Sequence, residues 1–195
     1  MSPLSKIIGL LQIDSTVGDL AGNAERLESL TAIAQANGAQ VAIATELAVC
    51  GYPPRDLLLQ PDFITTSFET AKNLAVDIPV LVGTPIPPDH ERNLPANGVV
   101  RAGVLQAVPN KDNTNRVVAK KQLLPSYDVF DETRYFTPAN RSGICRSIGE
   151  VDLGITICED AWQAAGLTPS AYGQDPVASL AEWGRQGVSL DATVN

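Results

Sequence analysis

Histidine is almost missing from this chain: its 195 residues contain one, His90. It stands among Pro87, Pro88, Asp89, Glu91 and Arg92, a polar loop where an imidazole reads as solvated surface. A hydrolase built on a cysteine–histidine pair has only this residue to draw on. Cysteine is sparse and odd in number, at Cys50, Cys145 and Cys158, with no Cys-x-x-Cys spacing. That excludes a disulfide framework and a structural zinc site, and points to a reducing compartment, the cytoplasm. Basic runs are lacking and the net charge is −8, so no nucleic-acid or anionic-membrane partner is expected. No apolar run approaches the length of a membrane span. The first six residues show no charged region leading into a long apolar core, so no secretory signal is expected.

What is present suits one compact α/β domain, with 44% of residues hydrophobic. Apolar runs at 6–13, 41–44, 78–82, 117–119, 144–148, 151–157 and 188–194 read as strands. Gly83 is expected to end the third run, and a hairpin is expected to turn at 101–103 between strands at 97–101 and 104–108. Helical spacing predicts helices over 20–37, 61–76 and 176–186. Their inward faces are expected to carry Leu27, Leu30, Ile33 and Ala34; Phe63, Phe68, Ala71 and Ala75; and Val177, Leu180, Ala181 and Trp183. Strands alternating with helices around a central hairpin indicate a mixed sheet. Residues 47–59, with Gly51-Tyr52-Pro53-Pro54, and the aromatic, charged stretch 126–138 read as loops, the second as a functional one.

Three residues stand just past apolar strands: Glu46, Lys121 and Cys158. Cysteine also packs well as an inert small hydrophobe, which is the reading given to Cys50 and Cys145. A carboxylate can take a thiol proton and later activate water. A nearby ammonium lowers a thiol's proton affinity and can hold an oxyanion. Glu, Lys and Cys together therefore suffice for acyl transfer through a thioester. Glu159 and Asp160, directly after the cysteine, read as turn-formers that cannot enter a core. Glu132 and Arg134 can pair with each other.

The segments around these residues carry a resemblance. Glu46-Leu-Ala-Val-Cys-Gly-Tyr-Pro-Pro-Arg-Asp-Leu-Leu58 resembles the first catalytic segment of the nitrilase, or carbon–nitrogen hydrolase, superfamily. Its Gly-Tyr-Pro-Pro-x-Asp-Leu-Leu form is most similar to the glutaminase domain of bacterial glutamine-dependent NAD synthetases. Lys121-Gln-Leu-Leu-Pro-Ser-Tyr-Asp-Val-Phe-Asp-Glu-Thr-Arg-Tyr-Phe136 resembles the lysine segment of that domain, with Lys121 rather than Lys120 in register by its Lys-x-x-Leu-Pro spacing. Ile157-Cys-Glu-Asp160 and Trp162 resemble the nucleophile segment.

The resemblance implies a four-layer α-β-β-α sandwich, C-terminally truncated, with residues 1–195 forming one glutamine amidohydrolase domain that lacks the synthetase domain. It implies Glu46 as general base, Lys121 as oxyanion-stabilising cation and Cys158 as nucleophile. It places Tyr127 as a glutamine-binding tyrosine, Glu132 as a second, supporting carboxylate, and Tyr52, Phe130 and Trp162 in the substrate pocket. The implied partners are L-glutamine, a fused synthetase domain and further copies of the complete protein. No cofactor or metal serves the glutaminase step, and ATP and Mg2+ belong to the synthetase domain. Two other functions fit the same motifs: a free-standing amidase, nitrilase or carbamoylase, and a non-catalytic module that keeps the fold.

Overall fold

The computed structural model describes residues 6–88, 101–109, 115–140, 143–148, 151–163, 166–167, 172–185 and 190–195. His90 and residues 97–100 lie outside them, as does the side chain of Cys145.

The strands form two sheets. β1 (Ile8–Leu11), β2 (Val41–Ala44), β3 (Val80–Ile86), β4 (Arg101–Ala107) and β5 (Arg116–Lys120) stand in sequence order in the first. β1, β2 and β3 are parallel, and β4 and β5 add antiparallel. β6 (Gly143–Ile148), β7 (Val151–Ile155) and β8 (Ala192–Val194) form the second, with β7 central. The helices are α1 (Leu20–Ala36), α2 (Pro61–Lys72) and α3 (Pro176–Arg185).

Side chains alternate faces along a strand, so each run of apolar residues serves two layers. In β2 and β3, Ala42, Val80 and Val82 pack against Leu27 of α1 and Phe68 and Ala71 of α2. Their neighbours Val41 and Leu81 point the other way and meet Val151, Leu153 and Ile155 of β7. On the outer face of β7, the Cα of Gly154 is crowded by Leu180 of α3, whose Cδ1 would lie 3.3 Å from an added Cβ. Helices, sheet, sheet and helix thus stack in four layers, the sandwich that the resemblance implies. Leu27 and Phe68 are the largest buried anchors of the helical layer, and burying each contributes about 1.5–3 kcal/mol.

Four local expectations are corrected. β3 does not stop at Gly83. It continues through Pro85 to Ile86 because β4 pairs with it from Ala107 to Arg101. That same pairing makes 101–103 strand rather than a turn: Gly103 faces Thr84 and Arg101 faces Ile86. α2 ends at Lys72, where the amide of Asn73 caps back onto Glu69 and Thr70, so Ala75 lies beyond the helix. Ile33 is 58% exposed, since six residues on from Leu27 it stands about 120° round the helix, and Ala181 is exposed while Leu180 is buried. Helical spacing marks a stripe, but only the outline of the partner sheet decides how far that stripe is covered.

Candidate active site

Glu46 sits in the tight turn that follows β2. Leu47 has φ 49°, and the amides of Cys50 and Gly51 both donate to its carbonyl. The turn is fixed from two sides. Asn23 of α1, fully buried, receives the Thr16 amide on its Oδ1, and its amide nitrogen donates to the carbonyls of Thr16 and Val49. From below, Gly83 of β3 lies directly under the turn. A Cβ at Gly83 would stand 2.4 Å from Leu47 N and 2.7 Å from Thr45 O, so glycine alone permits this approach. The sequence alone assigned neither Asn23 nor Gly83 to the site. A polar residue on the apolar face of α1 was the available signal for the first.

Lys121 follows β5, and its backbone is anchored at both ends: its amide donates to Ala102 O and its carbonyl accepts from Ala139 N, each at 2.9 Å. Its side chain is fully buried. Nζ donates to Glu46 Oε1 at 2.8 Å and to Glu132 Oε1 at 2.9 Å. Glu132 Oε2 lies within ion-pair range of the same ammonium, at 2.7 Å, without a hydrogen bond of its own. Burial pulls the Lys121 ammonium down, but Glu46 and Glu132 outweigh it and hold its pKa above the ordinary lysine value. Glu132, the less exposed of the two carboxylates, is pushed up by burial against the pull of Lys121. Its remaining donor is Tyr52, whose hydroxyl gives a 2.9 Å hydrogen bond to Oε1. Burial, then the adjacent Glu132, keep that phenol protonated. Arg134 turns away to Asp56 at 3.6 Å, so Glu132 belongs to the lysine and not to its near neighbour.

Cys158 opens a 3-10 turn, Cys158–Ala161, straight after β7 and the extended residues 156–157. Its φ is 50°, in the left-handed region that costs a non-glycine residue about 1–3 kcal/mol. Burial foremost, then the Glu46 carboxylate, push its thiol up to about 11, with Lys121 pulling the other way. The resting group is therefore a thiol that needs a base, not a standing thiolate. Cys50, by contrast, is wholly enclosed and pushed up to about 12 by burial, as a packing residue would be.

Glu159 and Asp160 overturn the expectation that two acids cannot enter a core. They are 1% and 2% exposed. Each is admitted because donors meet its oxygens. Glu159 accepts from the hydroxyls of Tyr127 at 2.8 Å and Tyr172 at 3.2 Å. Asp160 accepts three backbone amides, those of Gln122, Leu123 and Ile157. Tyr172 lies in a stretch with no period or motif, so nothing in the sequence marked it.

A cavity of about 290 Å³ opens between the sheets, lined among others by Glu46, Cys158, Gly103 and Trp162. A second, of about 230 Å³, is lined by Tyr52, Phe130, Glu132 and Tyr135. The expected pocket residues thus divide. Trp162 shares the cavity of the thiol, while Tyr52, Phe130 and Glu132 line the other, and Lys121 joins the two by its bonds to Glu46 and Glu132. Tyr127 packs edge-on to Phe130 at 5.8 Å and reaches the Cys158 turn through Glu159. The arrangement offers a thiol, a carboxylate on the same cavity, and a buried cation bonded to that carboxylate.

Known proteins share this architecture. No family model matches the chain. It is 37% identical over 188 residues to the glutamine-dependent NAD(+) synthetase of Synechocystis sp., a match that covers 94% of this chain and 32% of that protein. The chain thus spans about a third of the length of the relatives it matches. The structure of glutamine-dependent NAD+ synthetase from Acinetobacter baumannii, in complex with ADP, superposes with a TM-score of 0.68 at 24% identity, over 93% of this chain and 30% of that one. An amidase from Nesterenkonia sp. superposes with a TM-score of 0.58 at 21% identity, over 79% of this chain and 56% of that one. A mutant of that amidase carries acrylamide added at its active-site cysteine.

Proposed function

We propose that this chain, a nitrilase-fold relative of the glutamine-dependent NAD(+) synthetases, is a glutamine amidohydrolase unit over residues 1–195 and supplies ammonia to a synthetase. The observation that carries this reading is the convergence of Glu46, Lys121 and Cys158 from three separate loops, with the carboxylate and the thiol on one cavity.

The chemistry follows from the electrostatics. Because burial keeps Cys158 protonated, attack on the glutamine side-chain amide requires proton transfer to Glu46 as the S–C bond forms. Negative charge then develops on the amide oxygen. The Lys121 ammonium is preorganised to meet it, since its position is set by two carboxylates before substrate arrives. The Glu159 amide, next in the chain after Cys158, is the second oxyanion donor in this reading. The C–N bond breaks as Glu46 returns its proton to the leaving nitrogen, releasing ammonia and leaving a thioester. Water then gives a proton to Glu46 and attacks the thioester carbonyl. The C–S bond breaks, glutamate leaves, and the proton returns to the thiol.

Tyr127, Tyr52, Phe130, Glu132 and Trp162 are the side chains assigned to substrate binding and to support of the lysine. ATP and magnesium would serve the synthetase portion of the assembly and take no part in these steps. The fused synthetase and further copies of the complete protein are the partners in this reading, and the cytoplasm its compartment. Among the described residues no helix is long and apolar enough to cross a membrane. The test is product analysis on the chain joined to its synthetase portion. Equimolar glutamate and ammonia from L-glutamine are expected. Turnover of simple amides or nitriles with none of glutamine would instead mark a free-standing amidase, and absence of any covalent adduct at Cys158 a non-catalytic module.

A further inference from the structure

The lysine and the nucleophile come from different sheets. Lys121 follows β5 of the first, and Cys158 follows β7 of the second. Neither sheet by itself sets the distance between ammonium and thiol. Some contact has to tie the two ends together, and the Asp160 carboxylate is placed to do so. Its Oδ1 accepts the amides of Gln122 at 3.0 Å and Leu123 at 2.8 Å, the two peptides that follow Lys121. Its Oδ2 accepts the amide of Ile157 at 3.2 Å, the residue before the nucleophile, while its own amide donates back to the Ile157 carbonyl at 3.1 Å. The same carboxylate therefore closes the turn that holds Cys158 at φ 50° and grips the buried loop that carries Lys121.

We infer that Asp160 is a positioning residue for the amide hydrolysis: its carboxylate clamps the Lys121 loop to the Cys158 turn and so fixes the cation against the nucleophile. Other contacts between the two segments act further from Lys121: Tyr127 donates to Glu159, and Tyr172 reaches both Leu124 O and Glu159, whereas Asp160 binds the peptides directly beside Lys121 and Cys158. The segment 121–125 is buried yet has neither helix nor ladder, so its amides need an acceptor from elsewhere. A backbone carbonyl, with two lone pairs, could satisfy two of the three amides at most. A carboxylate can take all three and, being charged, makes stronger bonds than a neutral acceptor.

The inference rests on the roles proposed above for Cys158 and Lys121. Its test is chosen to read geometry without glutamine turnover, so that its failure is separate from failure of the glutaminase reading. The charged groups acting on the Cys158 thiol are Glu46 after β2, Lys121 after β5 and Glu132. Asp160→Asn removes a negative charge and keeps the volume, but sets an amide group where three N–H donors converge. Loss of that charge, and any loosening that wets the thiol, would each lower the thiol's proton affinity and speed its alkylation. Retreat of Lys121, which leaves the thiol to the Glu46 and Glu132 carboxylates, acts the other way and slows it. The measurement is the rate of Cys158 carboxamidomethylation by iodoacetamide at pH 8.5, by mass spectrometry, with unlabelled Cys50 as the control for folding.

A fall of about tenfold or more is expected in Asp160→Asn, with kcat for glutamine down about 10²-fold and KM within about threefold. An unchanged or faster alkylation overturns the inference. Should the variant fail to fold, amide exchange in the unsubstituted protein decides. Gln122, Leu123 and Ile157 must then share one protection level, as amides released by a single opening do. Separate levels overturn the clamp.

Discussion

The Lys121 ammonium and the Glu46 carboxylate, 75 positions apart in the chain, meet at 2.8 Å, the first fully buried and the second 21% exposed. That asymmetry divides their work. The cation is held between two carboxylates, whereas Glu46 reaches a cavity where a proton can be exchanged. Glu132 completes the lock from inside, so the cluster holds two negative groups around one positive one.

Lys121→Ala should therefore cost both activity and stability. Loss of an oxyanion donor typically lowers kcat by about 10²–10³. Removing the cation also strands two carboxylates, a change that costs about 3–5 kcal/mol when one partner of a buried pair is deleted. Lys120→Ala, one residue earlier in β5, should leave kcat within about threefold. Steady-state glutaminase kinetics with urea unfolding check both, and the reverse ranking would move the catalytic register by one residue.

Cys158→Ala should abolish glutamine-dependent synthesis and spare synthesis from free ammonia when the chain is joined to its synthetase portion. A glutamine analogue bearing a diazoketone should add one label, at Cys158. Cys50 should stay unmodified because it is fully enclosed and its thiol is held up at about 12 by burial. Cys145 is likewise expected to stay free. Peptide mass spectrometry reads all three, and equal labelling would remove the assignment of the nucleophile.

Gly83→Ala tests how Glu46, the proposed general base, is held. The added methyl would press on the backbone of Thr45 and Leu47 at 2.4–2.7 Å, inside any normal contact. The turn has to lift, and Glu46 with it. Displacement of a reacting group by about 1 Å can cost about 10²-fold in rate. We expect kcat to fall by that order while the helices and sheets persist by circular dichroism. Full activity in this variant would show that Glu46 tolerates movement.

Asp160 should also leave a mark on the pH dependence of stability. Burial, against the pull of three amide donors, lifts its carboxyl from the ordinary 3.8 to about 6. A raised acid binds its proton more tightly folded than unfolded. Its contribution is thus fully present below about pH 4 and is lost as pH rises through about 6, amounting to about 3 kcal/mol. The Asp160→Asn variant has no carboxyl to titrate at this position. Its unfolding free energy relative to the unsubstituted protein should therefore shift in the variant's favour by about that amount between about pH 4 and 7. Urea titrations at the two pH values decide it, and a constant difference would mean that the carboxyl is not raised.

Much of this was legible in the chain itself. The alternation of apolar runs and helical stripes marked the three α-helices and the strands, though it read 101–103 of β4 as a turn and missed the short 3-10 helix Arg55–Leu59. Glu46, Lys121 and Cys158 showed themselves because a reactive residue stood at the end of each run, where a strand leaves the core. The scarcity of histidine narrowed the chemistry before any geometry was known. What only the tertiary structure decided has one physical reason: it depends on groups distant in the chain meeting. β3 runs on past Gly83 because β4 pairs with it. Ile33 is bare because its neighbour Ala34 is the residue that meets the sheet there, against Gly9 of β1. Glu159 and Asp160 are buried because Tyr127, Tyr172 and the amides of Gln122, Leu123 and Ile157 satisfy their oxygens. No local pattern encodes a donor that arrives from another loop, so two adjacent acids read as surface until the fold brings them partners.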